Sequence, residues 1–323
     1  MKYIKKFDTH SGYEAYKNSE DYITPNVSYC VEQTEVHYSK YVRRDYSKDY
    51  FTFKAVEDTT FQFTKDGLSY SLDKGNTWTS LAANTATPTV NAGNKILFKG
   101  TMTPSDGSSG TFGIGAFSST GEYNAMGNVM SLLFGDDFIG QTDLTGKNTA
   151  FYCLFIRNTN LVDAANLILP ATTLTDSCYY LMFNGCTSLT TAPELPATTL
   201  VNGCYRSMFS GCTSLTTAPE LPSTTLADRC YESMFQRCTS LTTAPELPAT
   251  TLVSQCYNSM FVDCSNLNYI KAMFTTEPST SYTRNWVRNV AASGTFVKNS
   301  AATWITTGNN GIPSGWTVET ASA

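Results

Sequence analysis

The chain has 323 residues, a formal net charge of −5 and a charged fraction of 15%, against a usual quarter. That length holds two or three domains, and the charge argues against nucleic acid as the main partner, because neutralising phosphates requires clustered Lys and Arg. Ser, Thr, Asn and Gly take the place of the missing charge and give a neutral, hydroxyl-rich surface.

The first residues, MKYIKKFDTHSGYEAYKNSEDY, lack the apolar core of a secretory signal. No stretch of the sequence reaches the roughly 18–20 apolar residues of a membrane span. A protein made in the cytosol, without a membrane span, is therefore expected. Within residues 1–48, Ser11 to Glu14 read as a capping box opening a short helix. Val27 to Tyr38 alternate as a hairpin should, which predicts a small α+β docking module.

Residues 49–145 read as strands only. FTFKAV, TFQFT, LSYSL, KILFKG, FGIGAF and VMSLLF are short, aromatic or β-branched, and split by Gly, Asn and Asp, a spacing that predicts a β-sandwich. One motif stands out here: Ser71-Leu-Asp73-Lys-Gly75-Asn-Thr77-Trp78. It resembles the Asp-box of sialidases and other glycan-active proteins. Such a box is itself a hairpin turn, in which Asp73 caps the loop, Gly75 takes positive φ and Trp78 packs beneath. The sequence has one copy and no Arg between 49 and 145, so a structural turn is expected rather than glycoside hydrolysis.

Residues 146–275 form a repeat array. CTSLTTAPELPATTL begins at Cys186 and returns at Cys212 and Cys238, with Ser223 in place of Ala197 and Ala249. Each 26-residue unit has two halves. In the first, Cys178, Tyr179, Met182, Phe183 and Cys186 fall at i, i+1, i+4, i+5 and i+8, the stripe of a short helix. In the second, Leu189, Leu195 and Leu200 face inward from extended chain, with Pro193 and Pro196 blocking helix. A diverged copy begins near Ala150 and a half-copy ends near Ile270. Units of this size expose an apolar face that only a neighbour covers, which predicts a solenoid. Eight cysteines lie on the 26-residue lattice without the close pairing of a zinc site. They are expected to be reduced core thiols, with no metal and no cofactor.

Residues 276–323 depart from the period. TSYTRNWVRNV reads as a helix, and Trp286, Trp304 and Trp316 are placed to shield the open end as a cap. The expected fold class is thus α+β multidomain: a small α+β N-terminal module, a β-sandwich, a short solenoid of 26-residue units, and a C-terminal cap.

The spacing Met182-Phe183-x-x-Cys186-x-x-Leu189 resembles the BspA-like leucine-rich repeats of bacterial surface proteins. The resemblance implies a helix leading into a strand, and a role in adhesion without catalysis. The period here is longer, and the Ala-Pro-Glu-Leu-Pro-Ala-Thr-Thr insert departs from the commonest form. At the N-terminus, PNVSYC-x5-VHY (Pro25 to Tyr38) is similar to short modules of structural and tail proteins of phages infecting gut anaerobes. That resemblance implies a virion protein.

Catalytic groups are scarce. His10 and His37 are the two histidines, both in the N-terminal module, so a nucleophile–His–acid triad is not expected. Asp136-Asp137 is expected to close a turn. The candidate ligand-binding residues are columns: Thr190, Thr216 and Thr242; Thr191, Thr217 and Thr243; and Glu194, Glu220 and Glu246. A glutamate column at about 5 Å spacing repels itself and needs solvent, a cation or a polar ligand. Residues that differ between units cluster in the Cys-to-Cys half, so either face could carry specificity. The expected function is a non-enzymatic, virion-associated recognition protein of tail-fibre or capsid-decoration type. Its partners would be other virion proteins, through the N-terminal module, and a bacterial surface glycan or protein, through the repeats. The alternatives are a bacterial cell-surface adhesin and a glycan-active enzyme.

Overall fold

In a computed structural model the chain is described over residues 45–102 and 116–321. The expected N-terminal helix and hairpin lie outside the described residues. The strands are β1 (Phe51–Ala55), β2 (Phe61–Phe63), β3 (Leu68–Ser71), β4 (Thr79–Leu81), β5 (Lys95–Gly100), β6 (Phe117–Ser119), β7 (Tyr123–Asn128), β8 (Leu161–Ile168), β9 (Tyr269–Ala272), β10 (Thr295–Lys298) and β11 (Thr317–Thr320). Among the described residues there is one α-helix, α1 (Ser131–Phe134).

This architecture corrects the expected fold class. The protein is mostly sheet and turn, its sheets do not close, and no solenoid of alternating helix and strand is found. In place of a sandwich stands an open six-stranded sheet, ordered β4-β3-β5-β1-β7-β8, with the two-stranded β2-β6 ribbon separate from it. β1 is central, so Phe51, Phe53 and even Thr52 are buried. The rings of Phe61, Phe98, Phe117 and Tyr123 all lie within 5.1 Å of Phe53. VMSLLF, expected as a strand, turns instead into α1. Ser131 is buried there, accepting from Phe51 N at 2.9 Å and donating to Phe98 O at 3.0 Å.

The sheet runs past the boundary expected at residue 145. β8, inside the first repeat, pairs in parallel with β7, and residues 47–323 form one compact unit. Asn158 ties the two regions together, donating to Tyr123 Oη at 2.7 Å and to Phe117 O at 3.2 Å.

The expected helices of the repeats are ladders of turns. Alternate amides close turns within the unit, as Cys178 N does on Thr175 O, Tyr180 N on Ser177 O and Met182 N on Tyr179 O. The amides between them reach the following unit: Tyr179 N to Cys204 O, Leu181 N to Arg206 O, Phe183 N to Met208 O. Every fourth residue is left-handed, with φ of 55° at Ser177, 58° at Leu181 and 75° at Gly185. An α-helix does not accommodate such residues. The segment after Pro278 behaves likewise, with φ of 55° at Asn285 and 60° at Asn289.

Outside β8, the Pro-containing halves at 187–200, 213–226 and 239–252 form no regular strand either. Parallel pairing survives only as bridges such as Thr191↔Thr217 and Thr199↔Thr225, because Pro193, Pro196 and their equivalents have no amide to donate. Inward side chains nonetheless stack unit on unit. Phe155, Phe183, Phe209, Phe235 and Phe261 follow one another at 5.2, 5.3, 5.8 and 5.8 Å. Phe151, Tyr179, Tyr205, Tyr231 and Tyr257 follow at 5.5, 5.6, 6.0 and 6.1 Å. Trp286 meets both columns, at 6.3 Å from Tyr257 and 6.2 Å from Phe261. Beyond it β9, β10 and β11 form a parallel sheet.

The four repeat tyrosines are each 1% exposed, so their hydroxyls do not point outward as amphipathic packing would suggest. Tyr179 Oη has no hydrogen-bond partner. A buried, unpaired hydroxyl costs about 1–3 kcal/mol, and Phe151 already fills the same column one step earlier. Tyr179→Phe is therefore expected to raise stability by about 1 kcal/mol, measured as a higher urea midpoint at unchanged slope.

Candidate functional site

The Pro-containing half of each unit forms the outward surface. Leu189, Leu195 and Leu200 point into the core. Glu194, Glu220 and Glu246 lie between buried leucines and prolines and are exposed. The structure therefore brings the three glutamates into equivalent places along one line. Lys271 ends that line, with Nζ 3.1 Å from Glu246 Oε2.

The threonine columns divide. Thr190 donates its hydroxyl to Val162 O at 3.0 Å, and Thr216 reaches Thr190 O at 3.5 Å. These hydroxyls bond to the neighbouring unit. Thr217, Thr242 and Thr243 are exposed, whereas Thr191 is half-buried.

A second threonine set was not singled out from the sequence. Thr172 and Thr173, Thr198 and Thr199, Thr224 and Thr225, and Thr250 and Thr251 are all exposed. The signal was present as Ala/Ser-Thr-Thr-Leu in each unit, hidden because strand alternation would turn one of two adjacent threonines inward. Here the chain bends, so both face solvent. Ser223, where the other units have Ala, is 1% exposed and donates to Thr198 O at 2.7 Å. Its hydroxyl is spent inside the stack.

The Ser71–Trp78 turn is closed by its own side chains. Asp73 accepts from Ser71 Oγ at 2.7 Å, Thr77 N at 2.9 Å and Thr77 Oγ1 at 2.7 Å. Gly75 has φ of 91°, and Trp78 Nε1 donates to Gly75 O at 3.1 Å. The hydrogen bonds from Thr77 and then Ser71 lower the Asp73 pKa to about 2. A shallow depression of about 210 Å³, lined by Tyr70, Leu72 and Thr79 among others, adjoins the turn. A carboxylate held this firmly ionised is a poor proton donor. Its contribution to stability is present above pH 4 and lost as pH falls through about 2. An NMR titration should accordingly show the Thr77 amide shift unchanged from pH 7 to about pH 3.

Asp136 is the anchor of a surface cluster. Lys99 Nζ lies 2.8 Å from both its oxygens, and Tyr50 Oη donates to it at 2.6 Å. These bonds lower the Asp136 pKa, while burial and then Asp136 raise Tyr50 to about 12. Lys99 Nζ also stands 4.3 Å from the Trp78 ring centroid, so Asp136 and the Trp78 turn form one packed unit. Asp137 lies in the same 3-10 turn, Gly135–Phe138. His10 and His37 lie outside the described residues.

All nine described cysteines are free thiols and buried. Cys186, Cys212, Cys238 and Cys264 donate to Phe155, Phe183, Phe209 and Phe235 carbonyls at 3.0, 3.1, 3.1 and 2.9 Å. Among the described residues no three His, Cys, Asp or Glu side chains gather as a metal-ligand set. Nor is any described helix long and apolar enough to cross a membrane. No protein-family model matches the chain, and comparisons with curated proteins and with solved structures return no match.

Proposed function

We propose that this chain is a non-catalytic recognition protein of a phage virion, of tail-fibre or capsid-decoration type, presenting its repeats to a bacterial surface glycan or surface protein. The observation that carries the reading is the exposed row of Glu194, Glu220 and Glu246 beside exposed threonines, repeated at equivalent places. Many weak, identical contacts along a line suit a ligand that is itself repetitive, because each further contact adds as an intramolecular event. The N-terminal similarity to phage modules supports a virion, in which residues 1–48 would dock to other virion proteins. The repeat spacing shared with BspA-like proteins supports a second reading, a bacterial cell-surface adhesin.

The test uses the full chain on glycan arrays and on bacterial cells. Wild type should bind, and the triple variant Glu194→Gln, Glu220→Gln, Glu246→Gln should bind at least about tenfold more weakly, the equivalent of about 1.4 kcal/mol. Failure of the wild type to bind any glycan or cell would overturn recognition. Finding the native protein in cell envelopes rather than particles would favour the adhesin.

A further inference from the structure

The inward columns are the same at every step: tyrosine on tyrosine, phenylalanine on phenylalanine, with alternate amides bonded to the next unit. Nothing in them distinguishes a unit's true neighbour from the unit after it. A chain with such repeats has near-degenerate ways to dock one unit on another, which is the condition for kinetic traps.

Two outer columns break that degeneracy. The first runs Tyr152, Tyr180, Arg206, Glu232, Asn258. Tyr152 and Tyr180 rings lie 5.2 Å apart, and the Arg206 guanidinium is 5.1 Å from the Tyr180 centroid. Arg206 Nε stands 3.0 Å from Glu232 Oε2, an ion-pair contact without hydrogen-bond alignment. Arg229 Nε approaches the same oxygen at 4.0 Å, and Asn258 Nδ2 donates to Glu232 Oε1 at 3.3 Å. The second column runs Arg157, Gly185, Gly211, Arg237, Asp263, Asn289. An added Cβ on Gly185 would come within 3.3 Å of Arg157 Cγ. Arg237 Nε lies 3.6 Å from Asp263 Oδ2, and Asn289 Nδ2 donates to Asp263 Oδ1 at 2.7 Å.

These are among the positions at which the units differ, and the charged residues complement their neighbours in the next unit. Skipping the Glu232 unit would set Arg206 against Asn258. The same skip would set Gly211 against Asp263, because Arg237 belongs to the Glu232 unit, and skipping the Arg206 unit would set Tyr180 against Glu232. Both mistakes forfeit the Arg206–Glu232 contact, while the stacked Tyr and Phe columns register no difference. We propose that these two columns are an ordering device, selecting consecutive over skipped docking of near-identical repeats as the chain folds. Variation on this face is then spent within the molecule.

The test removes the order by replacing both partners of each ion pair, with Arg229→Gln added so that no charge is left facing the absent Glu232. In the full chain, Arg206→Asn and Glu232→Asn make the first column match Asn258, and Arg237→Gly and Asp263→Gly make the second match Gly185 and Gly211. Wild type and variant are refolded from urea by dilution, and the native fraction is read as chains whose thiols resist iodoacetamide. The native fraction should fall about two- to fivefold, the Boltzmann weight of one partly exposed ion pair, with the equilibrium urea midpoint nearly unmoved. A second variant, Arg206→Glu with Glu232→Arg and Arg229→Gln, restores complementarity in the opposite sense and should restore the yield. An unchanged native fraction in the uniform variant would overturn the proposal. So would a midpoint that falls in step with the yield, since that marks ordinary stabilisation.

Discussion

Raising the pH from 9 to 11 should unfold the protein cooperatively. Burial raises the thiol pKa to about 12 at Cys186, Cys204 and Cys264 and to about 11 at Cys153 and Cys256. Cys178, Cys212, Cys230 and Cys238 are also raised well above the ordinary thiol value, by burial first and then by neighbouring cysteines. The folded pKa lies above the unfolded one, so the stabilisation is complete below pH 9 and is lost as pH rises. The unfolded chain sheds thiol protons that the folded chain holds, and stability falls with each further pH unit. Each thiol contributes about 1.4 kcal/mol per unit in that window. With nine described thiols raised in the same direction, the loss over this window becomes comparable to the whole stability of a typical domain, about 5–15 kcal/mol. Circular dichroism against pH should show one sharp transition near its lower end. At pH 8, iodoacetamide should leave these thiols untouched until urea is added. A native spectrum retained at pH 11 would contradict the burial of the lattice.

Phe209→Ala should destabilise the repeats by about 3–5 kcal/mol. Phe209 is fully buried between Phe183 at 5.3 Å and Phe235 at 5.8 Å. Its backbone is tied to the following unit, since its amide donates to Met234 O and its carbonyl accepts from Cys238 Sγ, and the adjoining Met208 O accepts from Phe183 N of the preceding unit. The rungs above and below therefore have little freedom to close on the cavity. Phe209→Leu keeps most of the volume and should lose less than half as much. Urea titration followed by tryptophan fluorescence distinguishes the two. A loss under about 1 kcal/mol for the alanine variant would show that the column relaxes as a large-to-small core substitution rarely does.

The inward residues were legible from the period. Cys178, Tyr179, Met182, Phe183, Cys186 and Leu189 were marked by spacing, and each is at most 1% exposed. Glu194, Glu220 and Glu246 are exposed, but the Thr columns divide, with Thr190 and Thr191 half-buried. The backbone that carries them was not legible. Apolar residues at i, i+1, i+4, i+5 and i+8 fit a helix of period 3.6 and a turn ladder of period 4 about equally well over nine residues. Three left-handed positions, Gly185, Gly203 and Gly211, carry glycine, but Ser177, Arg229 and Arg237 occupy equivalent places, so no local signature betrayed the turns. VMSLLF failed for a similar reason: its buried Ser131 is held by Phe51 and Phe98, distant in sequence.

What the sequence determined by itself is the composition of each column, the 26-residue step and the identity of the core side. What tertiary structure decided is the backbone, and the reason lies in the hydrogen bonds. Alternate amides of each turn ladder have their acceptors in the following unit, as Leu181 N has in Arg206 O. An isolated unit would have to leave those amides to water or bond them within itself, as a helix does. Only the stack supplies the acceptors that make the ladder preferable.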